Sequence, residues 1–144
     1  MARDLFIVIV GCGRLGSHLA NRLSRAGHSV VAVDSDESAF GSLSPEYSGF
    51  RVEGDATELA VLKQAKADKA DLVIVATRDD NVNLMVAQVA KAAFAVPRVV
   101  ARVFDPKREA VYRHLGVETV CPTAVAAESF LQIASDAASK EGSS

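Results

Sequence analysis

Between Gly11 and Gly16 the chain reads G-C-G-R-L-G, with glycines spaced Gly11-x-Gly13-x-x-Gly16, and Asp34 closes a later apolar run. Residues of these types at these separations bind rather than react. Gly11 permits a tight turn, Gly13 lets backbone N–H groups approach a phosphate, and Gly16 lets a following helix pack closely on the strand before it. The unpaired N–H groups and dipole of that helix start favour an anion, which makes Cys12, Arg14 and Leu15 candidate contacts along with the three glycines. Asp34 lies about 20 residues beyond the turn, where its carboxylate can accept hydrogen bonds from both ribose hydroxyls. A 2′-phosphate there would be repelled, which favours NAD or an adenosine nucleotide over NADP. Arg14 is the unusual member of the loop. A cation at a helix N-terminus is unfavourable unless an anion sits beside it, so Arg14 suits a β- or γ-phosphate; a solvent-facing arginine is the alternative.

Such a loop works only between a buried strand and a helix. Apolar, β-branched runs alternate with helical patterns along the chain, predicting strands at Leu5–Val10, Ser29–Asp34, Phe50–Glu53, Leu72–Ala76, Arg98–Val103 and Glu118–Cys121. Helices are predicted at Arg14–Ala26, Glu37–Leu43, Glu58–Lys66, Asn81–Phe94 and Pro106–Leu115. Gly27 and Gly116 stand where helix C-terminal caps belong, Thr57 can cap the third helix, and Asp105-Pro106 forms an N-cap followed by proline at the first helical position. The rhythm predicts an α/β fold: a Rossmann-like doubly wound sheet of six mainly parallel strands with an additional C-terminal helix. Its ligand crevice should open at the carboxyl ends of the first and fourth strands.

Strand ends therefore nominate further contacts. After the second strand comes Asp34-Ser35-Asp36. After the third, Asp55, Ala56 and Thr57 could border an adenine, or form an ordinary capped turn. After the fourth, Ala76 and Thr77 leave space for ribose and phosphate, while Arg78, Asp79 and Asp80 read as a solvated helix start. After the fifth, Arg102 places a guanidinium near the crevice or pairs on the surface with Asp105.

The 144 residues, 49% of them hydrophobic and none Trp, suit one domain whose sheet is buried on both faces. Sixteen basic against 18 acidic residues leave a net charge of −2 and no broad basic surface, which argues against nucleic acid as a partner. The apolar runs are strand-length and the first residues lack a signal-peptide design, so a cytoplasmic location is expected. Cys12 reads as a small filler rather than a redox sensor, and no metal-ligand spacing is present. His18, His28 and His114 fall in or beside helices rather than at strand ends. No catalytic apparatus is visible, so no enzyme activity is expected.

Residues 1–122 are thus expected to form the nucleotide-binding domain. Residues 123–139 read as a helix whose Val125, Phe130, Leu131 and Ile133 need cover, either from its own sheet or from a second subunit, which makes it a candidate dimerisation element. Residues 140–144 read as a polar, disordered tail.

G-C-G-R-L-G with Arg14, V-A-V-D ending at Asp34, G-D-A-T at Gly54–Thr57, V-I-V-A-T at Val73–Thr77 and H-L-G-V-E-T-V-C-P at His114–Pro122 together resemble the RCK (regulator of potassium conductance) domains, also called TrkA-N or KTN domains. The resemblance covers nearly the whole chain. It implies dimers that assemble into rings, with or without a related nucleotide-binding subunit, beneath a membrane-embedded potassium transporter or channel, at the inner face of the plasma membrane. It also implies that bound AMP, ADP, ATP or NAD(H) changes the ring's shape. By the same resemblance Gly11, Gly13 and Gly16 hold the phosphates, Asp34 the ribose, Arg14 and Arg102 the distal phosphates, and Asp55, Ala56 and Thr57 the adenine border. Two departures from the pattern are expected: no smaller C-terminal domain of the kind many members carry is read in these residues, and Thr123 stands where some relatives carry an acidic residue that helps bind a divalent cation. The expected function is a nucleotide-binding regulatory subunit of a potassium uptake system; a small NAD-dependent oxidoreductase or an NAD(H) redox sensor is the alternative.

Overall fold

Each apolar β-branched run forms a strand: β1 Phe6–Val10, β2 Ser29–Asp34, β3 Phe50–Glu53, β4 Leu72–Val75, β5 Arg98–Arg102 and β6 Glu118–Val120. The structure, a computed structural model, describes residues 3–142. All strand pairings are parallel, and the order across the sheet is β3-β2-β1-β4-β5-β6. Connecting them are α1 Arg14–Arg25, α2 Leu59–Gln64, α3 Asp80–Ala92 and α4 Glu109–His114, with α5 Pro122–Gly142 following β6.

Strand alternation divides the core into two layers. Val8, Val10, Val31, Val33, Val73 and Val75 face α2, α3 and α4, meeting Leu62, Val86, Ala87, Ala90 and Tyr112. Ile7, Ile9, Val30 and Ala32 face α1, with Ala20, Phe40, Leu43 and Tyr47 closing that side. Gly27 and Gly116 adopt φ of 98° and 75° just past α1 and α4, as the cap reading requires.

Several boundaries differ from the sequence expectation for identifiable reasons. Glu37–Ser42 is a 3₁₀ turn rather than an α-helix; its serines and Gly41 are weak helix formers. The predicted helix at Pro106–Leu115 begins as a 3₁₀ turn, Pro106–Arg108, before α4, and Asp105 caps it by accepting the Lys107 N–H at 3.0 Å. The helix expected over Glu58–Lys66 stops at Gln64, since Lys66 turns left-handed at φ 61°. Thr57 does not cap α2. Its N–H and hydroxyl donate instead to Asp55 Oδ1, at 2.9 and 2.7 Å.

The last helix does not fold back onto its own sheet. Every side chain from Val125 to Lys140 is exposed, Phe130 and Ile133 to 75% and 68%. The helix also runs on through Gly142, so Lys140–Gly142 are helical where a disordered tail was expected; residues 143 and 144 lie outside the described residues. On the face that carries α1, Ile74 and its neighbour on β5, Val100, are only half-buried.

The closest packing constraint sits where α1 leaves the turn. A Cβ added at Gly16 would lie 1.7 Å from the Gly11 carbonyl oxygen. Gly16→Ala is therefore expected to cost about 3 kcal/mol of stability, because helix and turn must separate. Gly41→Ala, whose Cβ would meet nothing within 4 Å, should change stability by less than about 1 kcal/mol. Urea unfolding of the two variants checks the contrast; equal midpoints would refute it.

Candidate functional site

The carboxyl ends of β1 to β4 enclose a crevice of about 350 Å³. Val10, Gly11 and Gly13 come from the end of β1; Val33 to Asp36 from β2; Gly54 to Ala56 from the loop after β3; and Ala76 to Arg78 from the loop after β4. Ala39 and Val82 complete the lining. A larger hollow of about 680 Å³, between Phe6, His28, Arg51 and Lys66, opens at the opposite end of the sheet. Size does not decide between them: in a parallel sheet the helix N-termini that attract an anion gather at the carboxyl ends.

Gly11 has φ 99°, and a Cβ there would lie 2.8 Å from the Ala76 carbonyl and 2.9 Å from the Thr77 nitrogen. Its N–H donates to Val33 O at 2.8 Å, so the turn is tied to β2 and pressed against the end of β4. At Gly13 a Cβ would meet nothing, which leaves that backbone open to the crevice.

Asp34 is held from two sides. Its Oδ2 accepts the Cys12 N–H at 2.8 Å and its Oδ1 accepts the Asp36 N–H at 2.9 Å. A carboxylate offers about four lone-pair sites, so each oxygen keeps one for a hydroxyl. Ser35 and Asp36 are exposed beside it. Hydrogen bonds from Ser38 hold the Asp36 carboxyl below the usual carboxylate range, and those from Thr57 do the same for Asp55.

A buried amide organises the other wall. Asn83, fully buried on α3, accepts the Thr77 N–H and hydroxyl on Oδ1 at 3.0 and 2.6 Å, and its Nδ2 donates to Thr77 O at 3.2 Å and Arg102 O at 3.0 Å. The ends of β4 and β5 are thereby fixed to one another. No local sequence signal marks this residue, because its partners are six and 19 positions away.

Of the residues nominated from sequence, Gly11, Gly13, Asp34, Ser35, Asp55, Ala56, Ala76 and Thr77 line the crevice, whereas Cys12, Arg14, Leu15, Gly16, Thr57 and Arg102 do not. Cys12 is buried beneath the turn and Gly16 is pressed against it. Leu15 is half-buried on α1, and Thr57 serves its own turn. Arg14 is exposed at the first position of α1, outside the lining. Register pairs Arg102 with Val120, and Arg102 stacks its guanidinium over Phe104, 4.2 Å from the ring centroid, instead of pairing with Asp105. Asp36, which follows the second strand as expected, and Arg78, read from sequence as part of a solvated helix start, also line the crevice. Their position at strand ends was the available signal. Among the described residues no group of three His, Cys, Asp or Glu side chains could hold a metal ion. His28 Nδ1 accepts the Leu5 N–H at 2.9 Å, a structural role.

A parallel sheet ordered 3-2-1-4-5-6, with a glycine turn and an acidic second-strand end at its crevice, defines a Rossmann-type domain. The Gly11–Gly16 turn lies near the start of a longer match. Over residues 7–123 the chain belongs to the TrkA-N domain family. It is 38% identical over 128 residues to the Trk system potassium uptake protein TrkA of Streptomyces coelicolor, an alignment covering 89% of this chain and 57% of that protein. The chain spans about half the length of most of the curated relatives it matches. Among solved structures, the GsuK channel bound to NAD matches with a TM-score of 0.76 and 29% identity, over 90% of this chain and 23% of that one. GsuK bound to ADP matches with a TM-score of 0.74 and 29% identity, over 88% and 33%.

Burial, and then the negative charge of Asp34, push the Cys12 thiol up to about 11. At pH 8 its thiolate fraction should be about a hundredfold below that of an ordinary cysteine. Peptide mapping after iodoacetamide treatment should therefore find Cys12 modified in urea and spared in the native protein. Labelling at equal rates in both states would contradict its placement under the turn.

Proposed function

We propose that the chain is the nucleotide-binding module of a regulatory subunit for a Trk-type potassium uptake system or channel, working at the cytoplasmic face of the membrane without catalytic turnover. Its ligand is an adenine nucleotide (AMP, ADP or ATP) or NAD(H). The observation that carries this reading is the Asp34 carboxylate, fixed beside an open glycine turn with lone pairs left for two ribose hydroxyls. Among the described residues no helix is long and apolar enough to cross a membrane. The relatives named above support the assignment: one is a potassium uptake protein, and the GsuK channel has been seen with NAD and with ADP.

A ligand can switch such a module only by binding one arrangement more tightly than another, and that requires a neighbour to move against. We take residues 1–122 as the nucleotide-binding unit and α5 as the assembly element. The exposed apolar side chains of α5 and the half-buried Ile74 and Val100 call for cover, which a second copy or a related subunit would supply.

Asp34→Ala should weaken adenosine-nucleotide binding by about 1.5 to 3 kcal/mol, the range for a hydrogen bond to a charged acceptor. Calorimetry on the folded variant checks this; unchanged affinity would remove Asp34 from the site. Light scattering of the full chain should report a dimer or larger ring. A stable monomer at a protein concentration of about 100 μM, well above what a specific dimer of ordinary affinity needs, would overturn the assembly reading.

A further inference from the structure

The charges around the crevice are segregated. Asp34, Asp36 and Asp55 line the side formed by the ends of β2 and β3, whereas Arg78 supplies the positive charge, on the side after β4. Arg78 is exposed, and among the described residues its guanidinium has neither a hydrogen bond nor an ion pair.

Its position relative to the glycine turn is closely bounded. Gly11 is in backbone contact with Ala76 and Thr77, a Cβ on it falling 2.8 and 2.9 Å from their atoms, and Arg78 follows immediately. Both neighbours of Arg78 are fixed. Thr77 is clamped by Asn83, and Asp79 caps α3 by accepting the N–H groups of Asn81 and Val82 at 2.8 and 3.2 Å. The loop thus carries a free cation on a rigid base beside the turn where a phosphate belongs. Arg14 stands outside the lining.

We propose that Arg78 is a phosphate-binding, specificity-determining residue: it takes the terminal phosphate of an adenosine di- or triphosphate whose ribose lies on Asp34. This rests on the nucleotide reading above and adds to it the side chain that meets the phosphate end. A nucleotide is itself polarised, with neutral hydroxyls and base at one end and phosphates at the other. Laid with its sugar toward Asp34, it meets carboxylates with hydrogen-bond donors and the guanidinium with anionic oxygens. Reversed, it would set its phosphates against the acidic side of the crevice. The planar guanidinium can grip a phosphate with two parallel hydrogen bonds, which a point charge cannot do.

Calorimetric titration of adenosine, AMP, ADP and ATP into the wild-type chain, Arg78→Ala, Arg78→Lys and Arg25→Ala tests this. Arg25, exposed at the far end of α1, controls for the loss of one positive charge. Arg78→Ala should lose about tenfold or more in affinity for ADP and ATP while binding adenosine within about twofold of wild type. Arg78→Lys should recover part of the loss, and Arg25→Ala should leave all four ligands unchanged. Equal losses for all four ligands, no loss for ADP and ATP, or a matching loss in Arg25→Ala would each overturn the assignment. If the wild-type chain binds none of the four, the nucleotide reading falls and this assignment with it. Wild-type binding that Arg78→Ala leaves intact removes this assignment alone.

Discussion

The contact between α1 and the carbonyl oxygen of Gly11 is the constraint on which the rest of the crevice depends. With no side chain at position 16, the helix approaches the turn closely enough to pin it, and the pinned turn then reaches three strands at once. Gly11 N–H bonds to the end of β2, a side chain on Gly11 would strike the backbone at the end of β4, and the turn is itself the end of β1. A crevice at this junction needs no shaping by a ligand. Its walls are strand ends already joined to one another through a few backbone atoms.

On that frame, polar groups do separate work. Asp34 spends one acceptor site on the turn and one on its own loop, which orients the carboxylate without exhausting it. Asn83 spends its amide wholly inside the protein and presents nothing to a ligand; its effect is to stop the loop after β4 from drifting away from β5. Both economies follow from the cost of leaving a buried polar group unpaired, and both stiffen the site before anything binds.

Much of this could be read from the sequence because the determining interactions are local. Strands followed from runs of valine and isoleucine, the crevice from glycine spacing, and the cap glycines from residues that must turn left-handed. The α-helix expected at Glu37 failed because apolar spacing alone does not distinguish it from a 3₁₀ turn built on serine and glycine. Arg14 and Arg102 were placed near the crevice by chain position, but a side chain's direction depends on where the helix starts and on strand register. Register sets Arg102 beside Val120 and over Phe104. Asn83 was invisible for a related reason: its bonds join segments far apart in the chain. The course of α5 was open as well, since its apolar residues need cover without specifying whose.

The placement of α5 has a mechanical consequence. Asn83 joins Thr77 to the carbonyl of Arg102, and the next residue, Val103, donates to Val120 at 3.0 Å, two positions before α5 begins. One side-chain amide and one backbone bond thus link the crevice wall to the strand that leads into the helix. Its 21 residues form a rod about 31 Å long, so a tilt of about 10° at Pro122 swings the far end through about 5 Å. At the tip such a displacement equals about one helical turn.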